Sequence, residues 1–318
     1  MKRLFPHEAV LLNKNMMQTI EYGGWPHCRR LSNGLIDLIV TADVGPRIIR
    51  FGFEGERNEF KEYADTLGKT GGEEWNIFGG HRLWCSPEER PRTYFPDNRP
   101  VEVRAGENGS AIFTPPLEAE NGLQKEIEIS LPENQARVEV RHRLTNQGER
   151  EIEIAAWALS VMVPGGTAIL PLPPRASHEN ALLPNSMAAL WAYTDMTDPR
   201  WTWGAKYILL HGDIARLSPQ KIGLRVSEKW CAYARAGHLF VKVFPFDEAA
   251  IYPDFNSNVE VFTNGEMLEL ETLGPLTKLA RGETIEHIEE WHLLRDVPFA
   301  PHENDVEMHV LPKIQELF

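Results

Sequence analysis

Cysteine is scarce in this sequence, and the three that occur, Cys28, Cys85 and Cys231, lie far apart. An odd number of cysteines without CxxC or Cys/His ligand spacing argues against a disulfide framework and against a structural zinc site. Basic residues are also in deficit, since 33 Lys and Arg face 46 Asp and Glu, for a formal net charge of −13. Nucleic acids and anionic membranes attract clustered cations, so neither is an expected partner, whereas an uncharged small molecule remains compatible.

Long apolar runs are missing as well. No stretch approaches the roughly 18 consecutive apolar residues of a membrane-spanning helix. The first residues, MKRLFPHEAVLLNKNMMQ, have a basic start but no apolar core before a small-residue cleavage site. We therefore predict a cytoplasmic protein. The motifs GxSxG, HExxH, GxGxxG and the P-loop are absent too, and we predict no cofactor and no metal.

What the sequence does contain is a period of two. Apolar residues alternate with polar ones in ten segments, which indicates strands with one face on a core. They are 36–41, 47–53, 125–131, 136–145, 151–163, 207–212, 238–246, 259–264, 267–273 and 286–294. Asn-Gly pairs, typical of tight hairpin turns, follow or separate such segments at 33–34, 108–109, 121–122 and 264–265.

Helical periodicity is rare, with residues 58–68 and the C-terminal tail as the best candidates for short helices. The pattern predicts an all-β fold, a large antiparallel sandwich or barrel, in which residues 1–318 form a single domain. The irregular segment 170–206 is long for a connection, and such segments often carry binding function.

The segment MLELETL, residues 267–273, places two carboxylates on one side of a predicted strand. Glu269 and Glu271 share one face, roughly 7 Å apart, while the leucines of the other face belong to a core. That separation falls within the range for the two carboxyl groups of an inverting glycosidase. On this pattern alone a solvated strand face is the commoner explanation of alternating carboxylates.

The segment YPDFNSNVEVFTN, residues 252–264, is rich in side-chain oxygens. Asp254 and Asn256 lie in a predicted turn, where they could hydrogen-bond the hydroxyls of a ligand. Such a turn could also ligate Ca²⁺, but the spacing of an EF-hand is absent. Turn formation by Asp and Asn explains the composition equally well.

The segment FGGHRLWCSPEERPRTYFPDN, residues 78–98, combines hydrogen-bonding groups with flat apolar rings and is read as neither a helix nor a regular strand. A sugar presents hydroxyls at its edge and C–H groups on its faces, so this mixture suits a saccharide. The predicted binding residues are Arg82, Trp84, Tyr94, Asp97 and Asn98. His81 offers a group that titrates near neutrality, although a lone histidine is more often structural.

The order of four segments resembles the galactose mutarotase-like superfamily, which contains the aldose 1-epimerases, and most closely its DUF4380-type bacterial branch. These segments are GPRIIRFGFEGERNEF, FGGHRLW followed by PRTYFPDNRPV, ARVEVRHRLTNQGEREIEIAAWALSVMVPGG, and LELETLGPLTKLARGETIEHIEEWHL. The resemblance spans about residues 30–294. It implies a large twisted antiparallel β-sandwich with a sugar site on its concave face.

The resemblance also implies roles for individual residues. In the epimerases of this family a glutamate removes the proton of the anomeric hydroxyl and a histidine protonates the ring oxygen. Glu271 matches the base glutamate. The family histidine would fall near Trp157–Ser160, where this chain reads AAWALSVM and has none. Either His81 supplies the acid or mutarotation has been lost.

We therefore predict a carbohydrate-recognising protein of the aldose epimerase type that interconverts sugar anomers, with Glu271 and His81 as catalytic residues. The predicted substrate-binding residues are Arg82, Trp84, Tyr94, Asp97, Asn98, Asp254, Asn256 and Glu269. The expected partner is a small sugar or oligosaccharide. The alternatives are a non-catalytic saccharide-binding protein and a glycoside hydrolase or lyase on the same sandwich.

Overall fold

Two antiparallel β-sheets account for most of the computed structural model, which describes residues 17–318. Strands are numbered along the chain. The first sheet has 11 strands, in the spatial order β1 (Met17–Tyr22), β2 (Trp25–Ser32), β3 (Ile36–Val40), β4 (Ile48–Phe53), β5 (His81–Ser86), β10 (Ile152–Met162), β19 (Leu268–Leu273), β18 (Val259–Thr263), β15 (Gln220–Leu224) and β12 (Ala188–Leu190), with β20 (Thr277–Leu279) pairing with the start of β10.

The second sheet has 10 strands. Their spatial order is β13 (Trp201–Trp203), β14 (Tyr207–His211), β11 (Thr167–Pro171), β16 (Trp230–Arg235), β17 (His238–Val243), β21 (Thr284–Leu294), β9 (Arg137–Asn146), β8 (Leu123–Ser130), β7 (Ala111–Thr114) and β6 (Glu102–Ala105). The predicted all-β antiparallel sandwich is confirmed, and each of the ten predicted segments contains a strand.

The helical segments are short and confirm only part of the helix prediction. They are Glu107–Gly109, Pro253–Asn256, Glu303–Asp305, Val306–Val310 and Leu311–Gln315. The C-terminal segments place Val306, Val310 and Ile314 on an apolar cluster with β11, β16 and β17 of the second sheet. Among residues 17–318, no helix is both long enough and apolar enough to cross a bilayer.

Two local predictions were wrong. Residues 58–68 form no helix, because Phe60 is buried in the core and Lys61 donates its backbone N–H to Val161 at the end of β10. Residues 81–86, read as irregular, form the central strand β5. All six of its residues are buried, so both faces are covered and the alternation that marks a half-buried strand is absent.

The core between the sheets is built on aromatic rings from both of them. Phe51 of the first sheet and Phe240 of the second lie with ring centroids 5.6 Å from that of Trp291, and Phe60 lies at 5.5 Å. All four side chains are buried. Aromatic pairs of this kind stabilise the folded state by more than the burial of their apolar area alone. They hold the two sheets face to face.

A buried ion pair lies in the same interior. The ammonium group of Lys242 is 2.7 Å from Glu289 Oε1 and donates to the carbonyl oxygen of Leu270 at 3.0 Å. The other carboxylate oxygen accepts a hydrogen bond from the indole N–H of Trp291 at 2.8 Å. The charges are thus paired and hydrogen-bonded, which is the condition under which buried ions are tolerated.

A chain of hydrogen bonds through two histidines adjoins this pair. His142 Nδ1 lies 2.9 Å from the carbonyl oxygen of His287, which can only accept, so Nδ1 carries the hydrogen. Neutral His142 then accepts at Nε2 from His81 Nε2, at 2.7 Å, and His81 Nδ1 accepts from Ser160 Oγ at 2.9 Å. Burial lowers the pKa of both histidines. The network is therefore complete with neutral rings.

Substituting Glu289→Gln should lower the free energy of unfolding by about 3–5 kcal/mol, because it leaves the buried ammonium of Lys242 without a counter-charge. Glu286→Gln, on the exposed side of the same strand, should cost less than about 1 kcal/mol. Chemical denaturation of the two variants and the wild type measures the difference. Equal losses in the two variants would show that Lys242 does not depend on Glu289.

Candidate functional site

The face of the first sheet that points away from the second sheet, here called the outer face, carries an unusual set of charged and aromatic residues. In the strand register Leu159 of β10 lies opposite both Arg82 of β5 and Glu271 of β19. Likewise Trp157 lies opposite both Trp84 and Leu273. Side chains alternate along a strand, so Arg82, Trp84, Trp157 and Glu271 share this face.

The first charged group of the outer face is a pair between Arg82 and Glu269. The guanidinium Nη2 donates to Glu269 Oε1 at 2.9 Å, and the guanidinium carbon lies 4.2 Å from the ring centroid of Trp84 and 5.5 Å from that of Trp75. Arg82 Nε and Nη1 are buried and find no hydrogen-bond partner among residues 17–318. The pair is thus enclosed by indoles.

The second charged group is centred on Lys221 of β15. Its ammonium nitrogen lies 2.7 Å from Glu260 Oε2 and 3.2 Å from Glu271 Oε2. It also lies 4.8 Å from the ring centroid of Trp157 and 4.7 Å from that of Trp191. Glu260 and Glu271 are cross-strand partners on β18 and β19, so one cation serves two adjacent carboxylates.

Burial dominates the electrostatics of this group. It raises the pKa of Glu260 well above the ordinary value and raises that of Glu271, and Lys221 opposes both shifts. Burial alone would lower the pKa of Lys221, but the two carboxylates outweigh it and the pKa is raised. The ammonium therefore stays charged, and of the two carboxyl groups Glu260 is the one that burial holds more readily in its protonated form.

Glu271 is held from one side only. Its Oε2 accepts hydrogen bonds from the indole N–H of Trp157 at 2.8 Å and from Lys221 at 3.2 Å. Its Oε1 is buried and has no hydrogen-bond partner within residues 17–318. A buried carboxylate oxygen without a donor is costly, and it marks a position where a ligand hydroxyl or a water would be stabilised.

A pocket of about 310 Å³ opens above Lys221. Its lining residues are Pro87, Glu88, Glu89, Arg90, Tyr94, Trp157, Trp191, Lys221, Asp254 and Glu260. The volume lies at the small end of the range for ligand pockets. The lining combines aromatic rings with carboxylates, which are the two kinds of group that a sugar ring contacts.

Two backbone features shape this pocket. Gly223 of β15 lies opposite Glu260 of β18. A Cβ at Gly223 would lie 3.3 Å from the ring of Trp191 and 2.5 Å from Ser257 Oγ, so the absence of a side chain here leaves room for Trp191 and Ser257. Asp254 and Phe255 adopt left-handed φ values of 49° and 57°. Phenylalanine rarely adopts that conformation, and such strain is concentrated at functional sites. The turn directs Asp254 into the pocket lining.

Several of the predicted site residues come together here. Arg82, Glu269 and Glu271 lie on the outer face, and Tyr94 and Asp254 line the pocket. Trp84 is buried behind them, with its ring centroid 5.0 Å from that of Tyr94 and 5.5 Å from that of Trp157. Glu269 and Glu271 are both buried, which excludes the solvated strand face as their explanation.

The structure places His81 elsewhere and corrects its predicted partnership with Glu271. His81 precedes Arg82 on β5, so it points to the interior between the sheets, where its ring contacts Ser160 and His142. The alternation that brings Arg82 to the outer face excludes its neighbour from that face. His81 is a hydrogen-bonded core residue in this structure and cannot give a proton to a ligand beside Glu271.

Asp97, Asn98 and Asn256 are not brought into the pocket. Asp97 forms an ion pair with buried Arg47, and the Asn98 amide donates to the carbonyl oxygen of Glu74 at 2.7 Å. Both line a second cavity of about 360 Å³. The Asn256 side chain accepts from the backbone N–H of Tyr252 within its own turn, at 2.8 Å. Asn98 and Asn256 thus stabilise loops around the site.

The residues that sequence reasoning missed are Lys221, Trp157 and Trp191. Lys221 lies in QKIGL, too short a segment to show alternation, and Trp191 lies within the irregular segment 170–206. Glu260 was placed on a strand but was not assigned to the site. The sequence did contain a signal for Lys221 and Glu260, since each is the single charged residue of a short strand segment. When both faces of such a strand are covered, the buried charge requires a partner of opposite sign.

Among the described residues, one group has metal-ligating atoms close together, namely His81, His142 and Glu289, whose ligand atoms lie within 4.8 Å of one another. The Nε2 atoms of His81 and His142 are 2.7 Å apart, a hydrogen-bond distance, and the ammonium of Lys242 pairs with the carboxylate of Glu289. The negative charge of this carboxylate is therefore already balanced by a cation of the protein. We therefore assign this group to the core.

Comparison with known proteins identifies the fold. No protein-family model matches the sequence, and no curated protein matches it. Solved structures do match. A galactose mutarotase-like protein from Lactobacillus casei has a TM-score of 0.56 at 11% identity, with 84% of this chain and 100% of that chain covered. A proposed aldose 1-epimerase from Klebsiella pneumoniae has a TM-score of 0.57 at 11% identity, with 94% and 86% covered.

A TPR-domain containing protein from Parabacteroides distasonis also matches, with a TM-score of 0.58 at 16% identity. The match covers 87% of this chain and 48% of that chain, so the chain spans about half the length of that protein. Together these similarities show that the fold is galactose mutarotase-like, as the sequence resemblance implied. The narrower DUF4380-type assignment stays a prediction.

Substituting Lys221→Met should destabilise the protein in a pH-dependent way. Without the ammonium, the folded-state pKa values of Glu260 and Glu271 rise further above the unfolded value of about 4.5. The folded state then holds protons that the unfolded state releases, so stability falls as pH rises above about 4.5, by up to about 1.4 kcal/mol per pH unit for each carboxyl group. Urea denaturation at pH 5 and pH 7 measures this.

The matched control is Lys278→Met on β20, where the side chain is exposed. It should show no added pH dependence relative to the wild type. A Lys221→Met penalty that is the same at pH 5 and pH 7 would show that the two carboxyl groups are not coupled to this lysine.

Proposed function

We propose that the pocket on the outer face binds a saccharide and that the chain interconverts sugar anomers, with Glu271 as the general base. The observation that carries the proposal is the half-satisfied carboxylate of Glu271. One oxygen is fixed by Trp157 and Lys221, and the other has no donor within the described residues. A fixed carboxylate with a raised pKa is a stronger base than one in water.

Recognition would come from rings and carboxylates. Trp157, Trp191 and Tyr94 present apolar surfaces in the pocket, on which the C–H face of a sugar ring can lie. Asp254 and Glu260 offer acceptors for hydroxyl groups at the edge of that ring. This combination, a mostly preformed cavity with a few polar groups that converge, is typical of small-molecule sites.

Lys221 and Trp157 contact Glu271 directly, and the carboxylate has no exposed surface. A sugar reaches Glu271 Oε1 when the Lys221 side chain shifts enough to open the floor of the pocket. The anomeric hydroxyl then donates to Oε1, the oxygen without a donor within the described residues, while Trp157 and Lys221 continue to donate to Oε2. Lys221 remains the counter-charge of Glu271, which allows Glu260 to hold a proton.

The acid of the reaction is Glu260 in this proposal. The family resemblance would place a histidine near Trp157–Ser160, but this segment has none, and the indole of Trp157 does not titrate. Lys221 is a poor acid, because its pKa is raised. Glu260, held protonated by burial, gives its proton to the ring oxygen as the C1–O5 bond breaks and Glu271 takes the O1 proton. After rotation about C1–C2, the same transfers run in reverse.

The hydrolase alternative is weaker on this geometry. It needs two carboxyl groups that flank a bond, and Glu269 is already paired with Arg82. Only a measurement of anomer interconversion distinguishes the binding-protein alternative from the epimerase. We keep it as the second candidate, because the charged groups Lys221, Glu260 and Glu271 would serve recognition as well as catalysis.

Glu271→Gln should abolish anomeric exchange while the protein still binds sugar, since the amide keeps the shape of the side chain but cannot take a proton. The loss in rate should be about 10²- to 10⁴-fold. Saturation-exchange NMR on D-galactose and D-glucose measures the exchange, and Glu266→Gln, at the exposed residue of the β18–β19 turn, is the matched control. Line-broadening of a sugar without exchange in the wild type would favour the binding protein.

Trp191→Ala should weaken sugar binding by roughly three- to tenfold, because a stacked ring contributes about 0.5–1.5 kcal/mol. Titration monitored by ligand NMR gives the affinity. Trp203→Ala provides the control, since Trp203 is partly exposed and lies on β13 of the other sheet. An affinity unchanged by Trp191→Ala would remove that ring from the binding surface.

A further inference from the structure

The charges that line the pocket have an excess of negative groups. Four lining residues are acidic, Glu88, Glu89, Asp254 and Glu260, and two are basic, Arg90 and Lys221. Glu271 lies directly beneath Lys221 and adds a further carboxylate. A ligand that enters this pocket meets more acceptors than cations. That balance favours hydroxyl groups, which donate, over anionic groups, which only accept.

The nearby arginines offset this excess only in part, because Arg82 and Arg92 are paired with carboxylates of their own. Arg90 lies with its guanidinium carbon 4.0 Å from the ring centroid of Tyr94. Arg92 bonds the carbonyl oxygen of Pro87 at 3.1 Å and lies 3.3 Å from Glu89. Arg82 is paired with Glu269 and lies against the indoles of Trp84 and Trp75.

Lys221 is equally unavailable to an anion. It is almost fully buried and serves two carboxylates at 2.7 and 3.2 Å. If a phosphate took the ammonium, it would leave Glu260 and Glu271 as adjacent buried carboxyl groups without a cation. Removing the counter-charge of a buried carboxylate is costly, because the charge is left uncompensated. Phosphate recognition instead requires free Arg or Lys groups, or a helix N-terminus.

We propose that this pocket selects uncharged saccharides and excludes their phosphate esters. The inference rests on the proposed function and names the substrate class of the same site. Glu88, Glu89 and Asp254 act as the excluding groups at the pocket rim, and the Lys221 cluster excludes an anion from its floor. The hydroxyl edge of a neutral sugar satisfies the same carboxylates that a phosphate would meet as like charges.

The test is a pairwise titration by ligand NMR of D-galactose and D-glucose against their 6-phosphates. Wild type should bind at least one neutral sugar, and the corresponding 6-phosphate should bind at least tenfold more weakly. This difference in affinity, the gap between sugar and 6-phosphate, should shrink as ionic strength rises, because salt screens the repulsion at the pocket rim.

Glu89→Lys should narrow the gap, because it replaces a negative charge by a positive one at an exposed residue of the pocket lining. Glu266→Lys, away from the pocket lining, should leave it unchanged.

The outcomes separate the two claims. Tighter binding of a 6-phosphate than of its parent sugar would overturn the selectivity but leave saccharide binding in place. Loss of that binding in Arg82→Gln would then identify Arg82 as the phosphate ligand. A gap that Glu89→Lys and Glu266→Lys change equally would assign the selectivity to net charge and contradict the proposed rim. No binding of any of the four compounds would overturn the proposed function and the selectivity with it.

Discussion

Lys221 reaches from β15 across the outer face and places one ammonium between two buried carboxylates, Glu260 and Glu271. The pair of indoles around it, Trp157 and Trp191, completes a cage in which every charge has a partner. The rest of the site depends on this contact. Without the ammonium, two cross-strand carboxyl groups would face each other in a desolvated environment, and the floor of the pocket would lose its geometry.

Polar networks lie on both sides of the first sheet. On the interior side, His81 of the first sheet joins Lys242, Glu289 and His142 of the second in a network that is satisfied with neutral rings and one ion pair. On the outer side, Glu271 Oε1, both carboxylate oxygens of Glu260 and two nitrogens of Arg82 remain without hydrogen-bond partners within residues 17–318. This contrast distinguishes the two networks. A complete network holds a core together, whereas an incomplete one that adjoins a pocket is suited to a ligand.

The fold and the chemistry of this chain are supported by different evidence. Solved structures at 11–16% identity show the galactose mutarotase-like sandwich and nothing finer. The proposed catalysis rests on this chain's own residues. Trp157 lies in the segment Trp157–Ser160, near which the family resemblance would place a histidine, and it donates to Glu271. A neutral indole fixes the carboxylate without being able to transfer a proton. The acid that we propose, Glu260 on β18, is the cross-strand neighbour of Glu271.

Period-two alternation and Asn-Gly turns were sufficient to predict an all-β antiparallel sandwich or barrel and the two faces of the Glu269–Glu271 strand, because these depend on local geometry. The family resemblance implied the sandwich, and the Asp and Asn residues of 252–264 predicted the turn at Asp254. The strand β5 escaped prediction, because a strand buried on both faces shows no alternation. Only the tertiary structure decided that adjacent His81 and Arg82 point to opposite sides of the sheet. It also decided that Lys221, 50 residues from Glu271, contacts it. Strand order in an antiparallel sheet is set by long-range pairing, which no local sequence pattern encodes.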